Sequence, residues 1–405
     1  MTRGVLRKHC ELIFLCISIA FLCIGILAAL SYAQDSTATR LRQAAQFLSA
    51  GNLAGAEREL QAVLRASPKE HRALDLLGVA RILQHREAEA EGLFQQAIES
   101  KPDFASAYAH LGLLYSQSGR DGEAIPELQT AIRLDPGRTD ASDALVHIFR
   151  AHAKNAATNG DPKQALGLLI QARKLAPNNP DVEFEFASAA FQMSLLQDAA
   201  DGFRETLKER KDDALAVYGL GRAYGGLGKL EEARQQFEHY ITLRPDDPSG
   251  YCSLGITLAA LERPDQAKTQ FAKSIALSPE QSDAYLALGT LELHVNNLDQ
   301  ARTDLQHVLE RHPKHAGALS ALGRVEFMQK HYTQAAELLQ SAIAQDDSLH
   351  EAHYYLGLAY GRMGKKDKSD EEFQRATQLE HEEVEKRRAL WNRLELPPAS
   401  PQQKK

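Results

Sequence analysis

The stretch Ala105–Arg138 reads ASAYAHLGLLYSQSGRDGEAIPELQTAIRLDPGR. Tyr108, Leu111, Gly112 and Tyr115 recur at helical spacing, Gly119-Arg120-Asp121-Gly122 interrupts, and Ala124, Leu128 and Ala131 resume the pattern. Pro136 then stops the second segment, because the residue before a proline avoids the α region. The stretch predicts helix, turn, helix within 34 residues. One such pair cannot bury both of its apolar faces, so the rest of the chain must supply neighbours.

It does so by repetition. Gly78 and Gly112 are 34 residues apart, as are successive members of the series Gly221, Gly255, Gly289, Gly323 and Gly357. Twelve residues behind run Ala56, Ala90, Ala124, Ala165, Ala199, Ala233, Ala267, Ala301 and Ala335, with Ser369 last. Four further on are Leu60, Phe94, Leu128, Leu169, Phe203, Phe237, Phe271, Leu305, Leu339 and Phe373. Small residues let two helices approach closely, and the Leu or Phe fills the space beside them. Proline closes seven units, at Pro68, Pro102, Pro136, Pro177, Pro245, Pro279 and Pro313.

The period and the order small, small, large, small, proline resemble the tetratricopeptide repeat, over nearly the whole chain beyond residue 36. The resemblance implies an all-α, right-handed superhelical solenoid of about ten helix-turn-helix units. The expected units are 37–70, 71–104, 105–138, 139–179, 180–213, 214–247, 248–281, 282–315, 316–349 and 350–383. The fourth carries seven extra residues between Val146 and Ala165, expected to lengthen both of its helices into a protrusion. No Pro or Gly falls between Gly364 and Pro397, so the last helix is expected to run to about Leu394, with 384–396 capping the stack and 397–405 a disordered tail.

Ahead of the repeats, Arg3, Arg7 and Lys8 precede an uncharged run from Leu12 to Leu30, and Ser31-Tyr32-Ala33 follows. Residues 1–33 read as an export signal cut near Ala33 or as a single retained transmembrane anchor, with 34–36 a linker. Either way the repeats are expected on the far side of the cytoplasmic membrane, in the periplasm or cell envelope.

Composition narrows the function. With 47 basic and 54 acidic residues the formal charge is −7, and no basic block dominates, so nucleic acid is not an expected partner. Beyond the N-terminal run, Cys252 is the one cysteine, which excludes an internal disulfide and a cysteine-built zinc site there. No phosphate loop or nucleophile elbow occurs. Gly219-Leu220-Gly221-Arg222-Ala223-Tyr224-Gly225 has the wrong third residue for a dinucleotide loop, and His350-Glu351-Ala352-His353 sets its histidines one residue too close for a zincin. Neither an enzyme nor a cofactor is expected. The less favoured metal-dependent reading would use His294, His307, His312, His315, His331, His350 and His353.

The resemblance also locates the binding face. In such repeats the first helix lines the concave groove through its second, fifth, ninth, twelfth and thirteenth positions. The candidate partner-binding residues are therefore Phe184, Phe191, Tyr218, Arg222, Arg324, Tyr354 and Arg362. The expected function is a protein-interaction scaffold that holds a protein or peptide in this groove. The alternative is an accessory or assembly subunit of a membrane or export complex, since the chain also resembles envelope assembly proteins that pair an N-terminal anchor with these repeats.

Overall fold

The computed structural model describes residues 36–394, with side chains as far as Glu382. The expected export or anchor segment, 1–33, and the expected tail, 397–405, lie outside the described residues. No helix among the described residues is long and apolar enough to cross a membrane.

Every regular element described is an α-helix. In order they are α1 (residues 36–49), α2 (Leu53–Ala66), α3 (His71–Leu83), α4 (Glu87–Ser100), α5 (Ala105–Gln117), α6 (Asp121–Leu134), α7 (Thr139–Thr158) and α8 (Pro162–Leu175). Then follow α9 (Pro180–Gln192), α10 (Leu196–Glu209), α11 (Ala214–Gly226), α12 (Leu230–Leu243), α13 (Pro248–Ala260) and α14 (Pro264–Leu277). The last are α15 (Ser282–His294), α16 (Leu298–Arg311), α17 (Ala316–Met328), α18 (Tyr332–Gln345), α19 (His350–Arg362) and α20 (Lys366–Leu394). The described residues form two compact units, divided between Ala189 and Ala190. Within each, an odd-numbered helix packs on the even-numbered one after it, and odd helices touch one another in sequence, as α3 with α5 and α13 with α15 do. The odd helices of each unit thus form a layer of their own.

The punctuation has physical causes. Where an even helix is followed by proline, it ends two residues before it: α4 at Ser100 before Pro102, α14 at Leu277 before Pro279. The turn inside each pair contains a residue in the left-handed region, Gly51, His85, Gly119, Gly160, Ser194, Gly228, Glu262, Asn296, Lys330 and Gly364. These lie 34 residues apart except across the insert, and only half are glycine, which is why residue type alone conceals the series.

The packing rule read from the sequence takes a specific form. Each repeat glycine faces the large residue sixteen positions later. A Cβ on Gly78 would lie 2.4 Å from the Phe94 ring, and one on Gly255 2.6 Å from that of Phe271. Phe94, Leu128, Phe271, Leu305 and Leu339 are fully buried. Phe373, at the same position in the last pair, is only half-buried. Where Ser369 replaces the usual alanine, its hydroxyl donates to the Gly357 carbonyl at 2.8 Å, so the polar atom inside the packing is satisfied.

The insert corrects the expectation of two lengthened helices. Only α7 grows, to 20 residues, while α8 keeps the 14 of its counterparts. Asp161 caps α8, accepting from the Gln164 N–H at 2.9 Å, and Pro162 occupies its first turn, so the start of α8 is fixed and all seven residues extend α7. Nor does the extension project freely. Ala153 and Ala156 are buried, and His152 Nε2 lies 2.8 Å from Asp121 Oδ2 on α6. Helix α20 continues to Leu394.

Candidate functional site

The odd-helix layer of the second unit carries a hollow of about 760 Å³ between α13 and α15. Its floor is Phe271, fully buried, with Leu291 beside it. Ile256 and Val295 stand at its walls, about half exposed at 52% and 43%. Ala259, Ala260 and Ala287 line it without filling it, and Thr290, His294 and Glu262 supply its polar atoms. The volume falls within the range typical of ligand clefts, and the mix of hydrocarbon with a few polar groups is typical of them too.

The cause of the opening is visible by comparison with the same place in the first unit. There Val79, Ile82 and Leu83 of α3 face Leu113, Leu114 and Gln117 of α5, and the cavity shrinks to about 160 Å³. Val79 and Ile256 are both ninth in their helices, and Ile82 and Leu83 correspond to Ala259 and Ala260. Two alanines at the twelfth and thirteenth positions of α13, and Ala287 and Thr290 on α15 where α5 has His110 and Leu113, leave the space open.

The seven residues proposed from the sequence fall into different surroundings. Phe184 is half-buried in the first unit. Phe191 lies under the exposed Arg222 guanidinium, whose Cζ is 4.6 Å from the ring centroid. Tyr218 is half-buried: its ring centroid is 4.9 Å from that of Tyr240 and 5.7 Å from that of Phe237, and its hydroxyl is 3.0 Å from Ser253 Oγ. Replacing it therefore disturbs the helix pair as well as the surface. Arg324 Nη1 pairs with Glu351 Oε1 at 2.7 Å, and its Cζ lies 5.2 Å from the Tyr355 centroid. Tyr354 is 42% exposed, with its ring 5.4 Å from Tyr355 and 5.9 Å from Phe373. Arg362 is exposed. The structure thus joins Phe191 to Arg222 and Arg324 to Tyr355 and Glu351 of α19, and it gives the half-buried Tyr218 packing partners on α12 as well as a polar contact on α13.

The C-terminal histidines do not converge. His353 is buried with Nδ1 2.7 Å from Glu372 Oε2, His331 Nδ1 lies 2.7 Å from Glu326 Oε2, and His307 is against Tyr285 with centroids 3.8 Å apart. His315 Nδ1 accepts the Ala318 N–H at 3.2 Å and caps α17. No cluster of metal-ligating side chains occurs among the described residues. Cys252 is buried, and burial pushes its thiol up to about 11, so it is a neutral packing group at physiological pH.

Sequence reasoning passed over Ala259, Ala260 and Ala287 because it looked for large anchors on the protein, whereas here the protein supplies the space. A signal was present: the ninth, twelfth and thirteenth positions of the seventh unit are Ile256, Ala259 and Ala260, an apolar triplet with nothing to fill it.

The fold and this face define an α-helical repeat protein with an apolar recess in its odd-helix layer. A family model described as tetratricopeptide repeat matches residues 41–103, 86–139, 184–248, 252–299 and 290–350, and a second one matches 350–381. The chain belongs to the tetratricopeptide repeat family. Among curated proteins it is 28% identical over 203 residues to cellulose synthase operon protein C of Xanthomonas axonopodis pv. citri, covering 49% of this chain and 11% of that one. It is 27% identical over 146 residues to tetratricopeptide repeat protein 29 of Macaca fascicularis, covering 31% of this chain and 30% of the relative. The chain thus spans well under two thirds of these relatives. A solved tetratricopeptide repeat protein from Parabacteroides merdae superposes with a TM-score of 0.51 at 15% identity, over 58% of this chain and 93% of that one. Family and fold together support a protein-interaction scaffold.

Proposed function

We propose that this chain is a non-enzymatic scaffold that holds an extended peptide, or an exposed segment of a protein, across the odd-helix layer of its second unit, with one apolar side chain of the partner seated between α13 and α15. The hollow of about 760 Å³ carries this reading. Fully burying one Leu- or Phe-sized side chain there is worth about 1.5–3 kcal/mol, enough for one anchor to dominate a preformed groove. Phe191 with Arg222 on α11, and Tyr354 with Arg362 on α19, offer further contacts on the same layer.

The test fills the hollow from its rim. Ala260 is exposed and ends α13, so Ala260→Phe is expected to leave melting nearly unchanged while occupying the space. Random peptides displayed on phage should enrich on the wild-type chain and lose at least tenfold in retention on the variant. Equal retention on both proteins would mean that the hollow is not the site.

We further propose that the repeats work outside the cytoplasmic membrane, either released by cleavage near Ala33 or held by residues 12–30. Held in that way, the chain would suit an accessory or assembly subunit of a membrane or export complex. The basic residues Arg3, Arg7 and Lys8 before an uncharged run support this sidedness. Alkaline phosphatase fused after Asp35 is expected to be active. Activity only from a reporter that works in the cytoplasm would overturn the placement.

A further inference from the structure

We infer that the partner segment is basic as well as apolar: an extended peptide with an aliphatic or aromatic anchor and a lysine or arginine close beside it. The inference rests on the groove reading above and adds the chemistry of what enters.

Hydrocarbon on the floor and walls selects a bulky apolar side chain, and the rim sets the charge. Among the residues lining the hollow, Glu262 is the only carboxylate and no Lys or Arg is present. Glu262 sits in the turn between α13 and α14, exposed, at φ 57°. No cation pairs with it among the described residues, and the two nearest in sequence are engaged elsewhere. Arg263 Nη2 lies 2.6 Å from Glu231 Oε1, and Lys268 Nζ lies 2.8 Å from Glu292 Oε1. Arg222, the ninth residue of the preceding odd helix, is held over the Phe191 ring. A segment approaching the recess therefore meets unneutralised negative charge at its lip, on a chain whose formal charge is already −7. A cation next to the anchor gains a charge-assisted hydrogen bond there, whereas an acidic segment is repelled. The lip is solvated, so the gain is modest and governs which partner is accepted more than how tightly it is held.

Phage-displayed random decapeptides, selected on the full chain and counter-selected on Ala260→Phe, give the test. The enriched set is expected to share a Leu, Ile, Met or Phe with Lys or Arg within two positions. A fluorescein-labelled decapeptide from that set should bind about two- to fivefold more weakly to Glu262→Gln, and more weakly again to Glu262→Lys or after its own cation is changed to Glu. Backbone tolerance favours these variants, since position 262 already accepts a non-glycine residue in the left-handed region. If the enriched peptides are acidic or uncharged yet still depend on an open hollow, the basic partner is overturned and the groove reading stands. If enriched peptides are basic but bind Glu262→Lys as tightly as wild type, the role of the lip is overturned. If nothing enriches in an Ala260-dependent way, both readings fall.

Discussion

Phe271→Ala is expected to cost about 3–5 kcal/mol of stability, the range for deleting a fully buried aromatic ring. The ring is completely buried on α14 and rests where any side chain at position 255 would collide with it. No small movement can close the gap, because the backbone of α13 is already as near as a glycine permits. Repeat stacks have nearest-neighbour energetics, so the loss should also be local. Amide exchange is expected to accelerate across α13 to α16 and to stay close to wild type in α3 to α6. A rise spread evenly over every helix would contradict that behaviour. Phe373→Ala supplies the contrast: the residue occupies the same place in the last pair but is only half-buried, and it should cost clearly less. Chemical denaturation followed by circular dichroism, with exchange read by mass spectrometry, distinguishes the two.

The repeat was legible because it is written in residue size. Glycine and a Leu or Phe sixteen residues later are direct partners in space, so the spacing records a contact rather than a statistical habit. Proline marks the even-helix ends for the same reason, since its effect on the preceding residue is local. What stayed hidden depends on two helices at once. The fourth unit shows this: seven extra residues are countable, but whether they lengthen one helix or two is decided by the Asp161 cap and Pro162, which fix where α8 starts. Tyr218 shows it again. Its position in α11 marks it as groove-facing, and the contacts of its ring with Tyr240 and Phe237 on α12 depend on the second helix. The hollow was the least legible feature, because alanine at positions 259 and 260 reads as ordinary helix filler until α15 is set opposite.

A second large effect is expected where consecutive repeats meet. The fifth residue of an even helix reaches the eleventh residue of the next odd helix, 24 positions on. Glu57 meets Arg81 at 2.7 Å, the Tyr115 hydroxyl donates to Glu91 at 3.0 Å, Lys268 meets Glu292 at 2.8 Å, and Arg302 meets Glu326 at 2.7 Å. At most of these sites one partner is an ion with little access to water. Glu326 is the extreme case: its side chain is 2% exposed and its two oxygens are held by Arg302 and by His331 Nδ1 at 2.7 Å. Arg302→Ala leaves that carboxylate in place with half of its partners gone, and should cost about 3 kcal/mol, the lower part of the range for breaking a buried pair, since Arg302 itself is partly solvated. Replacing both ions, as Arg302→Met with Glu326→Leu, removes the desolvated charge along with its partner and should recover most of that loss. His331, 54% exposed, then turns to water at little cost. A double variant as unstable as Arg302→Ala alone would show that the junction depends on the shape of these side chains, and that the ion pair is not what joins α16 to α17.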